Sequence, residues 1–315
     1  MLPLILRRLG LGVLTLWLVS VLIFAGTEIL PGDVAQTILG RTATPESLAA
    51  LRDQLSLNEP AIYRYGNWLG GILSGDLGVS LSSNTSIAGI ISDRFTNTLL
   101  LASLTALFGI PVGFALGMLA AVYANTRIDR FITVFSLCTI SVPEFFMASA
   151  FVLIFAVYLG LVPAVAYITE FESISQLLRS LAIPILTLSF GVLAYMARMT
   201  RAAVLNVMRS PYIEMAILSG VPRGRLVVRH ALPNALGPIV NVTALSLAHL
   251  ISGTVVVEVM FAYPGLAKLT VDAVSLRDMP LVQACAMIFS AAYILLLMLA
   301  DILAIMANPR IRHAS

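Results

Sequence analysis

Tyr212-Ile213-Glu214-Met215-Ala216-Ile217-Leu218-Ser219-Gly220-Val221-Pro222-Arg223-Gly224-Arg225-Leu226-Val227-Val228-Arg229-His230-Ala231-Leu232-Pro233 is basic and only half apolar, yet it lies between two strongly apolar runs. Ser210-Pro211 ahead of it predicts a helix start, with serine as N-cap and proline at the first helical position, where its missing N–H is no loss. Glu214 falls in the early turns, where the helix dipole favours an acid. Gly220 supplies the left-handed residue that ends the helix, and Pro222 opposes its continuation. A second helical piece carries Arg223, Arg225 and Arg229, and Leu232-Pro233 turns the chain back toward the next apolar run. The spacing therefore predicts helix, glycine turn, helix: a small rigid knob at a membrane surface, offered to something in the adjacent aqueous compartment.

The composition around this knob is that of a polytopic membrane protein. Of 315 residues, 59% are hydrophobic and only 11% charged, and the mean hydropathy is +0.97; a soluble domain is about a quarter charged. Lys268 is the only lysine, so the net charge of +3 is carried by arginine. The arginines cluster at the ends of apolar runs rather than along a stripe, which excludes a nucleic-acid-binding surface. Cys138 and Cys285 lie in or beside apolar runs and suggest neither a disulfide framework nor a zinc site.

Six runs are long enough to span, at roughly 20 residues per crossing: about Leu9–Leu30, Leu99–Tyr123, Phe131–Val162, Leu181–Met199, Pro238–Met260 and Leu281–Met306. The first follows Arg7-Arg8 but is too long for a signal-peptide core and leads into Leu30-Pro31-Gly32-Asp33, so it is expected to remain as an anchor. The third contains Ser141-Val142-Pro143-Glu144, which predicts a kinked or tilted helix. Residues 31–97 form the longest polar segment, with a helix start at Thr44-Pro45-Glu46, amphipathic pieces around Trp68, Leu69, Ile72 and Leu73, and a turn at Gly75-Asp76-Leu77-Gly78. So short a piece buries little core alone and reads as a cap on the membrane domain. Phe261–Pro280 reads as a loop. The organisation is thus 1–30 (tail and first span), 31–97 (cap) and 98–315 (five further spans, with the knob loop at 206–237). Arg7, Arg8, Arg127, Arg130, Arg198, Arg201, Arg209, Arg223, Arg225, Arg229, Arg310 and Arg312 fall on one side, against Arg41, Arg52, Arg64, Arg94, Arg179, Lys268 and Arg277 on the other, spread over far more polar residues. By the positive-inside rule both termini and the knob lie in the cytoplasm, and the cap lies outside.

Tyr212–Pro233 resembles the EAA loop of ABC-importer permeases, whose pattern is E-A-A-x3-G-x9-I-x-L-P. Glu214, Ala216, Gly220, Leu232 and Pro233 fall on its positions, Met215 replaces the second residue, and His230 stands where the pattern has isoleucine. The resemblance covers nearly the whole chain and is most specific to the dipeptide/oligopeptide and nickel permeases. It rests on Leu30-Pro31-Gly32-Asp33, Tyr65-Gly66-Asn67-Trp68-Leu69, Gly75-Asp76-Leu77-Gly78-Val79-Ser80, Arg229-His230-Ala231-Leu232-Pro233-Asn234-Ala235, Val257-Glu258-Val259-Met260-Phe261-Ala262-Tyr263-Pro264-Gly265-Leu266 and Pro309-Arg310-Ile311-Arg312. Departures are Leu55-Ser56-Leu57 for the usual L-G-L and Asn308-Pro309 for the usual Asp-Pro. The resemblance implies an all-α permease of six transmembrane helices in a bacterial inner membrane. It also implies a homologous second permease, two cytoplasmic ATPases and an extracytoplasmic substrate-binding protein as partners. Tyr212, Ile213, Glu214, Met215, Ala216, Gly220, Leu232 and Pro233 would form the ATPase-coupling loop. Substrates of the family include peptides, nickel chelates, glutathione and opine-like compounds.

The residues themselves argue against other chemistry. A phosphate-binding loop needs a lysine followed by serine or threonine, and Lys268 is followed by leucine. The chain is expected to bind no cofactor and to leave ATP and magnesium to partner subunits. A gradient-driven transporter is the alternative, working through Glu144, His249, Glu258 or Asp301. Asp301 can instead pair with an arginine near the same membrane face, and Glu144 follows the break at Pro143. Ser246, His249 and Ser252 share a helical face, as a nucleophile and base would, but serine is common at close-packed helix interfaces and no oxyanion element accompanies them. Pro143, Glu144, His249, Gly253, Val256 and Glu258 are the candidates for lining a pathway. For Glu258 two readings stand, contact with a substrate ammonium or a structural cap or pair with the Lys268 loop.

Overall fold

Helices form where apolar runs and helix-start signals coincide in the computed structural model, which describes residues 2–29, 43–54, 57–166 and 173–307. Leu30-Pro31-Gly32-Asp33, Arg41, Leu55-Ser56, Glu170, Glu172 and Asn308 to Arg312 lie outside the described residues. In order the helices are α1 (Leu2–Ile29), α2 (Pro45–Gln54), α3 (Ala61–Ser74), α4 (Ile87–Val122), α5 (Arg127–Ser141), α6 (Glu144–Phe151, continued by a π-helix over Val152–Tyr158), α7 (Ile174–Met208), α8 (Pro211–Leu218), α9 (Leu232–Met260), α10 (Leu266–Ser275) and α11 (Met279–Ala307). No strand occurs among the described residues; Val79 and Ser86 make an isolated antiparallel bridge. Five helical stretches are long and apolar enough to cross a membrane, and the bent pair α5–α6 makes a sixth.

Three expectations are corrected. The third span is not a kinked helix but two helices at 102° to each other. Val142 and Pro143 are both extended (φ −89°, ψ 126° and φ −60°, ψ 141°). A proline forces its predecessor out of the helical region, and β-branched Val142 complies readily. Pro111, Pro184 and Pro238, by contrast, sit inside unbroken helices. Second, Leu232-Pro233 does not turn the chain back. Arg223–Arg225 is one α-turn, Leu226–Ala231 is a π-helix, and α9 continues directly. Pro233 falls in the first turn of α9, where a missing N–H costs least. Third, Phe261–Pro280 is not all loop: α10 forms there, with Leu266, Ala267 and Ala273 buried and Lys268 Nζ 2.7 Å from the Asp272 carboxylate at i,i+4.

The described residues divide into two compact units. One draws on Met1–Gly10, Thr98–Tyr263 and Tyr293–Ser315; the other on Leu11–Asn97 and Pro264–Ala292. In the first, α7 is the central element, packed against α5, α6 and α9. Its N-terminus is capped by Ser173, which accepts from the Gln176 N–H, so the helix starts before the expected Leu181. Glycines bring α4 against α7 at close range: Gly113 faces Leu193 and Met196, and Gly117 faces Ala197 and Thr200. In the second unit the Phe24 ring meets Tyr65 edge-on and Trp68 at a tilt, and Arg64 pairs with Glu28. Thr44 and Ser47 make reciprocal capping bonds at the start of α2. Ile87, Ile91, Leu266, Leu281 and Cys285 are buried together. That apolar face explains why α4 begins twelve residues before the expected Leu99. Asp278 holds the hairpin loop before it, accepting from the Ser80 hydroxyl (2.6 Å), the Ser82 hydroxyl (2.8 Å) and the Ser82 N–H (3.0 Å).

Candidate functional site

The knob is formed by α8. Ser210 adopts the extended N-cap backbone and Pro211 opens the helix, but the serine hydroxyl donates to the Val207 carbonyl rather than capping. The helix ends in a six-residue Schellman turn. Gly220 has φ +77°, its N–H bonds the Ile217 carbonyl (2.9 Å), and the Val221 N–H reaches back to the Ala216 carbonyl (3.2 Å). One side chain anchors the unit: Ile213 is fully buried among Ala121, Val204, Val227, Ala231 and Ile239. The Tyr212 hydroxyl donates to the His230 carbonyl at 3.4 Å, tying α8 to the π-turn. The opposite face is open. Met215, Ile217 and Leu218 are exposed, Leu218 at 82%, beside exposed Glu214 and half-buried Ala216. The helix thus buries Ile213 and leaves its other apolar side chains uncovered. Leu232 is half-buried and Pro233 exposed, both beyond the knob itself.

A second concentration of polar groups lies in the unit that α7 organises. Glu144, the first residue of α6, turns its carboxylate between two glycines: a Cβ on Gly253 of α9 would lie 3.7 Å from it, and one on Gly191 of α7 3.8 Å. Between α5, α6, α7, α9 and α11 is a cavity of about 380 Å³ lined by Thr139, Glu144, Tyr195, Ser246, His249 and Tyr293, with apolar residues between them. His249 stands near enough to act electrostatically on the Glu144 carboxylate, and its side chain is exposed rather than interior. Ser246 is not poised as a nucleophile; its hydroxyl donates to the Val242 carbonyl at 2.9 Å.

Of the candidate pathway residues, Pro143, Glu144, His249 and Gly253 are thus brought together, and two are not. Glu258 is fully buried, its carboxylate accepts from the Thr98 hydroxyl at 2.7 Å, and it does not line the cavity of Glu144 and His249. A carboxylate near a span end is stabilised by such a donor as readily as by water, and the sequence did not place Thr98 beside it. Val256 is exposed on α9 and does not line the cavity. Tyr263, beside Glu258, has its hydroxyl pushed well above the ordinary tyrosine range by burial and by the Glu258 charge. Tyr195, Tyr293 and Gly191 were not anticipated. Gly191 and Tyr195 are four apart on α7, a same-face spacing that is readable only once the facing helix is known. Also unanticipated is the pair of Asp129 and Arg201, joining α5 to α7 through two hydrogen bonds, with the Asn125 N–H on the same carboxylate. Asp301 pairs with Arg8 at 2.7 Å.

Comparison with known proteins supplies the context. The family described as binding-protein-dependent transport system inner membrane component matches residues 113–313, and the N-terminal region of such membrane components matches residues 1–102. A Brucella abortus protein whose name describes a peptide transport system permease is 35% identical over 313 residues, covering 99% of this chain and 100% of the relative. The glutathione transport system permease protein GsiC of Escherichia coli K12 is 35% identical over 307 residues, covering 98% and 97%. Among solved structures, the inward-facing MetNI methionine ABC transporter shares the fold: TM-score 0.56 and 19% identity over 70% of this chain and 96% of that one.

Proposed function

We propose, from the premise that the chain belongs to the family of binding-protein-dependent transport system inner membrane components, that α8 is the point where a partner ATPase drives its spans. The chain is the permease of an ABC importer, a multi-pass protein of the inner membrane, and membership in that family brings ATPase and substrate-binding partners. Peptides are the cargo; glutathione is itself a tripeptide, and the relatives named for either are equally similar. Nickel chelates and opine-like compounds are the runners-up. The further assignments are ours: a homologous sister permease completing a heterodimer, two cytoplasmic ATPases that bind ATP and magnesium and do all the hydrolysis, an extracytoplasmic binding protein, and both termini in the cytoplasm.

The observation that carries the coupling role is the exposed apolar face of α8 over a single buried anchor, Ile213. Force from nucleotide closure has to cross a small, stiff contact. Ile213 transmits it to α4, α7 and α9, whose residues surround it. Half-buried Ala216 lets a groove wall come close, and Gly220 aims the helix. A non-glycine residue at φ +77° costs roughly 1–2 kcal/mol, more if β-branched. Because a Cβ at Gly220 meets no atom within 4 Å, the damage is confined to the turn.

The test is co-purification of the full importer with Gly220→Val or Ala216→Trp in this chain. Both variants should insert and retain the sister permease while losing ATPase subunits or substrate-stimulated hydrolysis. Arg52→Ala, far along the chain, should do neither. Normal transport with ATPases retained in both knob variants would reduce α8 to a connector.

A further inference from the structure

The carboxylate of Glu144 is a charge set into an apolar span with no hydrogen bond to it among the described residues. The carboxylate is half-buried with His249 as an electrostatic neighbour, and the rest of what holds it there needs an account. Part of that account is local. Glu144 opens α6 immediately after the extended Val142-Pro143 pair, so the dipole of the following helical run favours its ionised form. Yet among the described residues the side chain makes no hydrogen bond back to its own helix. It points across to α7 and α9, into the gap that Gly191 and Gly253 leave open. Alanine at either glycine would only touch the carboxylate; a branched side chain would cover it.

The rest of the cavity suits one kind of ligand. Its volume of about 380 Å³ lies in the size range of small-molecule sites, about 300–1,000 Å³. No lysine or arginine lines it, so no side-chain cation of that type occupies the carboxylate. Tyr195 of α7 and Tyr293 of α11 line the same cavity, and aromatic faces attract cations. A metal ion is disfavoured, since no group of three His, Cys, Asp or Glu residues gathers among the described residues. We propose that the Glu144 carboxylate, with Tyr195 and Tyr293 around it, is a binding point inside the spans for a primary ammonium, the amino terminus of a passing peptide. This rests on the peptide-permease reading above and adds the atom that receives the substrate. Binding there is weak and transient by construction. One ion pair at a half-open site gives a foothold between release from the outer binding protein and exit, without trapping the cargo.

The experiment uses the assembled importer in membranes and dicyclohexylcarbodiimide, which modifies carboxyl groups in apolar surroundings, with adducts at Glu144 and Glu258 followed by mass spectrometry. Trialanine at about ten times its half-protecting concentration should slow modification of Glu144 about tenfold, since protection grows as one plus the ratio of ligand to Kd. N-acetyl-trialanine, which lacks the ammonium, should not slow it. Modification at buried Glu258 should be insensitive to both. In uptake, Glu144→Gln should raise the trialanine concentration for half-maximal transport several-fold, and Glu144→Asp should recover most of the loss. Equal protection by the acetylated peptide, or none by either while wild-type uptake is intact, overturns the ammonium site and leaves the permease reading standing. Failure of the wild-type importer to take up any peptide overturns the peptide reading itself, and the site falls with it.

Discussion

Replacing Gly117 by alanine tests the tightest contact in the spans. A Cβ built there lies 2.6 Å from the Ala197 carbonyl oxygen and 2.7 Å from Thr200 Cβ. Neither atom can swing away: one is backbone, the other the branch point of a β-branched side chain. At Gly113 the clash is similar, 2.7 Å to Met196 Cβ and 2.8 Å to the Leu193 carbonyl oxygen. At Gly109 the nearest atom is Val192 Cγ1 at 3.3 Å, which needs a shift of only tenths of an ångström. Gly89, earlier on the same helix, meets nothing within 4 Å. Overpacking costs about 1–3 kcal/mol. Against that, alanine is favoured over glycine inside a helix by about 1 kcal/mol. The two rigid positions therefore lose up to about 2 kcal/mol net, Gly109→Ala is near neutral, and Gly89→Ala gains up to about 1 kcal/mol. The assay is thermal unfolding in detergent followed by a thiol-reactive dye, in a Cys138→Ser background so that buried Cys285 reports. The midpoint should fall for Gly113→Ala and Gly117→Ala, hold for Gly109→Ala and hold or rise for Gly89→Ala. A uniform rise across all four would refute the close approach of α4 to α7.

Asp278 gives a pH dependence. Burial raises its pKa, but hydrogen bonds from Ser80, Ser82 and the Leu81 backbone outweigh it and hold the carboxyl below the ordinary aspartate range. A depressed folded-state pKa means its stabilisation is full above about pH 4 and is lost as pH falls through the folded value; limited proteolysis of the 79–86 loop should accelerate only in that acid window, and at every pH in Asp278→Asn. Asp129→Ala should destabilise strongly, by about 3–5 kcal/mol for a buried pair and less here because Arg201 is partly exposed, while Asp129→Leu with Arg201→Met should be close to neutral in the same unfolding assay. For topology, single cysteines at Ser83 and Ser219 in a chain lacking Cys138 and Cys285 should react with an impermeant thiol reagent from opposite sides of the membrane; labelling of position 219 from outside reverses the proposed orientation.

The knob was legible in the sequence because its determinants are local. Pro211 at a helix start, Glu214 in the first turn and Gly220 at the left-handed end act within a few residues of one another, and the structure has all three. The six apolar runs were legible for the same reason, since a span is defined by its own composition. What could not be read was set by partners distant in the chain. For Glu258 the sequence leaves a pathway role and a structural one open, and its donor Thr98 lies 160 residues away. Asp129 and Arg201 are 72 residues apart, and nothing local to either one points to the other as its partner. The break at Val142-Pro143 lies between these cases. A proline marks a possible break, but three other prolines in this chain stay inside helices. The difference is that both residues of the Val142-Pro143 pair are extended and that α6 then begins with an acid.

These pairings also bear on how the chain is driven. A gradient-driven carrier moves protons or ions along a succession of intramembrane groups that can change partners. Here Asp301 is held by Arg8, Asp129 by Arg201, and Glu258 accepts from Thr98, each within the packed helices of one unit. Such groups fix helix positions; they do not form a relay. Glu144 and His249 are what is left of those candidates, one carboxylate and one imidazole lining a single cavity. The candidate energy input is instead at the other end of the unit, where Ile213 ties an exposed apolar knob to α4, α7 and α9. Since α7 and α9 also carry Gly191 and Gly253, the glycines that make room for Glu144, a push on α8 reaches the cavity along two continuous helices. Displacing either helix by an ångström changes the gap around that carboxylate directly. That gives the ATPase stroke a route to the site where a peptide ammonium would be held or let go.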